Sequence, residues 1–279
     1  MELVRTIDAI KRRLRPLQAG GLRVGCVPTM GALHAGHLSL VAEAKRRAEV
    51  VVATVFVNPL QFGPSEDLAK YPRQLERDAE LLAAAGCDVL LAPDPAEMYP
   101  SGFQTSVEVA DVTQGLCGAI RPGHFRGVTT VVLKLLSIVR PDVAVFGEKD
   151  YQQLTVIRQM ARDLALDVEI VGGALVRDPD GLAMSSRNAY LSADDRARAL
   201  SLSRGLTAAA ALHAAGERDA AALVAAARAP LEAAGLAPEY LELRAADDLR
   251  PLARADVPAV LLVAARIGTT RLIDNQKLG

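Results

Sequence analysis

Between residues 24 and 171, short β-branched apolar runs alternate with stretches of helical periodicity, and this alternation leaves few architectures open. Val24 to Val27, Val50 to Val57, Asp88 to Leu91, Val143 to Phe146 and Val168 to Val171 read as buried strands. Between the first two, Gly36 to Glu49 places Leu38, Leu40, Val41 and Ala44 at roughly helical spacing. It ends in Lys45, Arg46 and Arg47, where cations suit the helix dipole. Helices are also predicted from Pro72 to Gly86, from Gly127 to Arg140 and from Asp150 to Leu164. The expected fold is α/β, a Rossmann-like doubly wound parallel sheet with helices on both faces. Right-handed crossovers put every strand-to-helix loop at one sheet edge, and ligands bind there where the strand order reverses. The loops after Val27, Val57 and Phe146 are therefore the places to look for chemistry.

Composition narrows the class of function. The 279 residues carry 32 Lys and Arg against 33 Asp and Glu, a net charge of −1, with no basic stripe. A protein held to nucleic acid by phosphate contacts would show a basic excess, so no nucleic-acid partner is expected. Cys26, Cys87 and Cys117 are too far apart for a Cys-x-x-Cys site and read as reduced structural thiols. The start, Met1-Glu2-Leu3-Val4-Arg5, lacks a signal-peptide layout, and no apolar run approaches the ~20 residues of a membrane helix. A cytoplasmic protein with no membrane partner is expected. The turn-rich Arg177-Asp178-Pro179-Asp180-Gly181 predicts a boundary, giving a domain over 1–176 and a smaller C-terminal α+β domain over 177–279. The latter reads as alanine-rich helices across 205–235, punctuated by Gly216 and Pro230. Strands are predicted at Tyr240 to Leu243 and Ala259 to Ala264.

Three loops hold candidate chemistry. After the first strand come Met30, Gly31, Ala32, Leu33, His34, Ala35, Gly36 and His37, which open a helix whose N-terminal amides suit a phosphate. His34 and His37, two of only four histidines, fall on one face of the first turn and can donate to phosphate oxygens. A capped helix with incidental histidines and half of a zinc site are the competing readings; zinc would need a further ligand that no spacing supplies. After Phe146, Gly147, Glu148, Lys149 and Asp150 place one of six lysines at the ligand edge, either against a polyphosphate or paired with its acidic neighbours. Met184, Ser185, Ser186 and Arg187, followed by Asn188, form a donor set for phosphates or a simple helix cap. Its place beside the interdomain turn suggests a lid.

Taken together, these blocks resemble a known family. The His-x-Gly-His helix start with a later Met-Ser-Ser-Arg loop looks like the nucleotidylyl-transferase superfamily, which includes class I aminoacyl-tRNA synthetases. More closely, Val27–His34, Phe56-Val57-Asn58-Pro59-Leu60-Gln61-Phe62, Arg121-Pro122-Gly123-His124-Phe125-Arg126-Gly127-Val128, Phe146–Gln153, Leu182–Asn188 and Thr269–Asn275 resemble the pantoate–β-alanine ligase (pantothenate synthetase) family. The blocks occur in that family's order and span nearly the whole chain. The chain departs from the pattern at Cys117 and Ile120, where the family carries an acidic residue and a serine, and at Ala183, where the superfamily loop carries a lysine.

The resemblance implies that pantoate and MgATP give pantoyl adenylate and pyrophosphate, after which β-alanine displaces AMP. It implies that Met30 to His37, Gly147 to Asp150, Val176 and Met184 to Arg187 bind ATP, with Val176 touching adenine through its backbone. It implies catalytic roles for His34, His37, Lys149, Ser185, Ser186 and Arg187. Gln61 and Gln153 would hold pantoate, with Asn58 and Met30 in the same substrate pocket and Gln61 also near β-alanine. The amides of Gln61 and Gln153 can donate and accept at once, and Met30 and Phe62 can pack pantoate's methyl groups. Magnesium enters with ATP, with Asp78 or Asp150 as candidates to position it. The family is typically a homodimer, for which Val50 to Phe56 is either interface or core. The competing functions are a nucleotidyltransferase of the same superfamily, such as a pantetheine-phosphate adenylyltransferase, and a nucleotide sensor without turnover.

Overall fold

The computed structural model describes residues 1–64 and 66–279. Along the chain run β1 (Glu2–Val4), α1 (Ile7–Ala19), β2 (Val24–Thr29), α2 (Ala35–Lys45), β3 (Val50–Val55), α3 (Leu75–Ala84), β4 (Val89–Leu91) and α4 (Pro95–Met98). They are followed by α5 (Leu116–Ile120), α6 (His124–Val139), β5 (Val143–Gly147), α7 (Tyr151–Asp163) and β6 (Glu169–Gly173). The C-terminal elements are α8 (Ala193–Ala214), α9 (Ala220–Ala233), β7 (Pro238–Ala245), β8 (Ala259–Ile267) and β9 (Thr270–Leu278). The chain forms two compact units, Met1–Asp111 with Arg121–Glu148 and Val156–Ala174, and Val112–Ile120 with Lys149–Thr155 and Leu175–Gly279. This differs from a single cut after residue 176: Lys149 and the first turn of α7 cluster with the second unit.

In the first unit, six strands pair in parallel in the order β1-β4-β3-β2-β5-β6. The strands read as unbroken apolar runs because both faces are covered. Val27, Val51, Ala53, Leu90, Val143 and Val145 pack with Leu40, Val41 and Ala44 of α2 and Leu82 of α3. Their alternates Val24, Cys26, Val52, Val89 and Ala144 are equally buried on the opposite face, where α6 lies against β2 and α1 against α6. Val50 to Ala53 and Phe56 are buried within this unit, which makes that run core. Burial pushes the Cys26 thiol up to about 12 and the Cys87 thiol up to about 11, consistent with inert structural thiols. The expected Pro72 helix starts only at Leu75, and β1 and α1, not predicted from the sequence, add an edge strand and a helix.

The second unit has a three-stranded antiparallel sheet in the order β7-β8-β9, packed by α8 and α9. Along β8, Leu261, Val263, Ala265 and Ile267 join Leu202, Leu206, Leu223 and Leu231 of the two helices. Val260 and Leu262 turn to the other face, onto Leu116, Tyr151 and Leu249. α8 begins twelve residues ahead of the predicted start at 205, capped by the Ser192 hydroxyl, which accepts from Asp195 N at 3.1 Å. Pro230 lies inside α9 instead of ending it.

Candidate active site

The strand order reverses between β2 and β5, and extending their register sets Thr29 opposite Gly147 at the carboxyl ends. The chain after β2 turns tightly, with Gly31 at φ 85° and Ala32 at φ 53°, a region glycine enters freely and alanine only when held. Asp78 of α3 does the holding. Its buried carboxylate accepts from Ala32 N at 2.9 Å and from Leu33 N at 2.8 Å. Each carboxylate oxygen thus accepts one backbone N–H, which makes Asp78 an anchor of the loop. His34 then caps α2 with extended backbone. Its ring centroid lies 4.1 Å from that of His37, and His34 N donates to His37 Nδ1 at 3.3 Å. With Nδ1 accepting, a neutral His37 carries its proton on Nε2, the donor a phosphate oxygen requires. Met30, Gly31, Ala32, Leu33, His34, Ala35, Gly36 and His37 thus form one continuous turn into a helix N-terminus beside Gly147 and Glu148.

A second wall comes from the turn Pro59–Gln61 after β3. Gln61 is 9% exposed, and its Nε2 donates to Met30 Sδ at 3.1 Å. Asn58, expected at the substrate, is 1% exposed and lies behind Gln61, donating to Gln61 Oε1 at 3.0 Å and Gly127 O at 3.1 Å. The Gln61 backbone carbonyl accepts from His124 Nδ1 at 2.8 Å and Arg121 Nη2 at 3.3 Å. Arg121 Nη1 meets His124 Nε2 at 3.0 Å, and Arg121 also holds Glu66 through Nε at 2.7 Å and Nη2 at 2.6 Å. Burial works against the charge on Glu66, but the guanidinium outweighs it and keeps the carboxyl below its usual range. The Arg121-Pro122-Gly123-His124 block therefore buttresses Gln61, a role its sequence does not announce.

The second unit carries Lys149, Asp150, Gln153, Val176, Met184, Ser185, Ser186 and Arg187. Lys149 Nζ lies 3.7 Å from Asp150 Oδ2, and Asn275 Nδ2 donates to Lys149 O at 2.9 Å. Gln152 is buried and spans Cys117 N, Val112 O and Gly115 O, whereas Gln153 beside it is half-buried. Residues 176–188 form a pinned hairpin: Met184 N donates to Val176 O at 3.0 Å and Asp178 N to Leu182 O at 2.8 Å. Arg177 clamps Asp274 at 2.7 and 3.1 Å, and Arg196 grips both Asp178 and Asp180 at 2.8 Å. A lid motion of the whole loop would break these bonds. Val176, with its carbonyl engaged, still has an N–H to present. The Ser185 hydroxyl accepts from Arg187 N at 3.2 Å, which fits the capping reading of this segment.

Among the described residues, no group of three or more His, Cys, Asp or Glu side chains is placed to hold a metal ion. None of the helices they form is long and apolar enough to cross a membrane.

The family model for pantoate-beta-alanine ligase matches residues 2–277. A pantothenate synthetase of Myxococcus xanthus is 59% identical over 99% of this chain and 96% of its own length. The crystal structure of pantothenate synthetase from Thermus thermophilus superposes with a TM-score of 0.95 at 48% identity, covering 99% of both chains. A pantoate-beta-alanine ligase from Francisella tularensis, solved with beta-gamma ATP and beta-alanine, matches with a TM-score of 0.83 at 34% identity over 99% of this chain and 97% of that one. With sequence and architecture both matching over nearly its whole length, the chain belongs to the pantoate–β-alanine ligase family, whose members are ligases that form a carbon–nitrogen bond.

Proposed function

We propose that this protein condenses pantoate with β-alanine at the expense of ATP, through a pantoyl adenylate, releasing pyrophosphate and then AMP. The observation that carries the reading is the histidine-capped start of α2 at the strand-order reversal, with Gln61 and Met30 in contact beside it. Histidines at a helix start suit a phosphate, and the neighbouring amide N–H and thioether suit a hydroxy acid with methyl groups. The pantoate carboxylate is ionised at neutral pH and needs no base to act as nucleophile. Holding it in line with the α-phosphorus makes the step effectively unimolecular, a gain of up to ~7–11 kcal/mol.

Charge then grows on the departing pyrophosphate. We assign His34 and His37 of the first unit to it, together with Lys149, Ser185, Ser186 and Arg187 of the second. Val176 and Met184 are assigned to the nucleotide, and Gln61 and Gln153 to pantoate. Magnesium is proposed to arrive on the triphosphate itself, with Asp78 or Asp150, the latter 3.7 Å from Lys149 Nζ, as the carboxylate that helps position it. Its contribution when bound is neutralisation of phosphate charge. A homodimer in the cytoplasm completes the proposal.

Isotope exchange between pyrophosphate and ATP, measured without β-alanine, tests it. Exchange that appears only when pantoate is added is the expected result. Exchange that proceeds equally without pantoate removes the ligase reading and favours a nucleotidyltransferase, and no turnover under any condition favours a sensor.

A further inference from the structure

Asn58 has no hydrogen-bonding capacity left for a substrate. Its Nδ2 hydrogens go to Gln61 Oε1 at 3.0 Å and Gly127 O at 3.1 Å. Its Oδ1 accepts from Leu60 N at 3.3 Å and Tyr99 Oη at 2.8 Å. Two donors and two lone pairs complete the inventory of a carboxamide. Gly127 O can only accept and Leu60 N can only donate, so the orientation of the Asn58 amide is determined without ambiguity.

That orientation passes to Gln61. Because Asn58 donates to Gln61 Oε1, the Nε2 side of Gln61 faces Met30, where it rests on a sulfur at 3.1 Å. A thioether is a weak acceptor, readily exchanged for an oxygen. Gln61 therefore meets its ligand as a donor, not as the donor–acceptor its residue type allows.

The group that closes the chain is Tyr99, just after α4. Its ring packs at 5.0 Å from Phe103 and 5.9 Å from Phe56, and Lys134 Nζ sits 4.8 Å from the Phe103 centroid and 5.7 Å from that of Tyr99. Lys134 is itself tied to Met98 O. The ring is thus fixed from several sides, and burial keeps the phenol protonated, so it remains a donor throughout the working pH range.

We propose that Tyr99 is a positioning residue for pantoate: its hydroxyl, acting through Asn58, holds the Gln61 amide with its N–H side toward an acceptor oxygen of the substrate. The proposal rests on the reading that Gln61 contacts pantoate. It makes the polarity of this subsite, and so its preference for a carboxylate or hydroxyl oxygen, depend on a residue that does not touch the substrate.

Tyr99→Phe keeps the ring and removes only the hydroxyl. In pantoate-dependent exchange, the KM for pantoate should rise about 5- to 30-fold, the range for one lost buried partner, while the KM for ATP stays within about twofold. In a Gln61→Ala background, where no amide remains to be oriented, the same change should move the pantoate KM by less than about twofold. A pantoate KM unaltered by Tyr99→Phe overturns the proposal, as does an equal rise in both KM values or a full effect in the Gln61→Ala background. Wild-type exchange that ignores pantoate overturns instead the reading on which the proposal rests, so the two failures are told apart.

Discussion

Gly127 packs under Leu60 so closely that a methyl group on its α-carbon would stand 2.2 Å from the Leu60 carbonyl oxygen. The same methyl would lie 2.6 Å from the Gln61 α-carbon, so α6 and the turn carrying Gln61 meet backbone to backbone. Glycine here serves close approach, not a special φ.

Gly127→Ala should accordingly push the turn away from α6. Overpacking of this kind costs about 1–3 kcal/mol, which lowers the melting temperature by several degrees in a chain of this size. It should also raise the pantoate KM, because Gln61 moves with its backbone. Thermal unfolding together with exchange kinetics checks both parts; a variant with unchanged pantoate KM would show that the turn position is not what presents Gln61.

Asp78→Asn is the sharper probe of the nucleotide loop. One amide oxygen can still accept from Ala32 N or Leu33 N, but the NH2 group must face the other N–H. Losing a charge-assisted bond and setting donor against donor should cost about 1.5–3 kcal/mol, paired with a higher KM for ATP and little change for β-alanine. Chemical denaturation and initial-rate kinetics measure the two effects separately.

How much of this was legible in the sequence differs by residue. β2, β3 and β5 announce themselves because both faces are buried, which leaves a continuous apolar run. β1 does not, since Glu2 and Leu3 are exposed at a sheet edge and only Val4 is buried. His34 and His37 are visible because a pair at helical spacing after a strand has a direct chemical meaning. The anchoring role of Asp78 and the place of Tyr99 are not visible: each acts across a fold contact, 46 and 41 residues from its partner in the chain. Likewise Asn58 reads as a substrate contact from its block, and only its four filled hydrogen bonds reveal a supporting role.

The Glu66–Arg121 pair predicts a pH dependence with a defined sign. Arg121 holds the Glu66 carboxyl below its ordinary 4.5. An acid with a lowered folded-state pKa contributes stability that is present above the unfolded value and lost as pH falls through the folded one. Glu66→Gln should therefore be less stable than wild type at pH 7, and the gap should close progressively below about pH 4.5. Urea unfolding of both proteins from pH 7 to pH 3 measures it; a gap that persists at the acid end would mean that packing of the side chain, not its charge, is what Arg121 requires.

His37→Ala and Lys149→Ala test two of the residues assigned to the departing pyrophosphate. His37 accepts from the His34 amide at Nδ1, which puts the proton of its neutral ring on Nε2. Lys149 is held at its carbonyl by Asn275, which fixes the backbone from which its ammonium reaches. Each donor, aimed at charge that grows only as pyrophosphate leaves, is worth ~2.7–4 kcal/mol, or two to three powers of ten in rate. Single-turnover formation of the adenylate, at saturating ATP and pantoate, isolates that step from substrate binding. Both variants should slow it by this factor while binding ATP with little loss, because the interaction strengthens in the transition state. If His37→Ala instead raises the KM for ATP with adenylate formation unchanged, the histidine contributes uniform binding and the stabilisation of the leaving group falls to other donors.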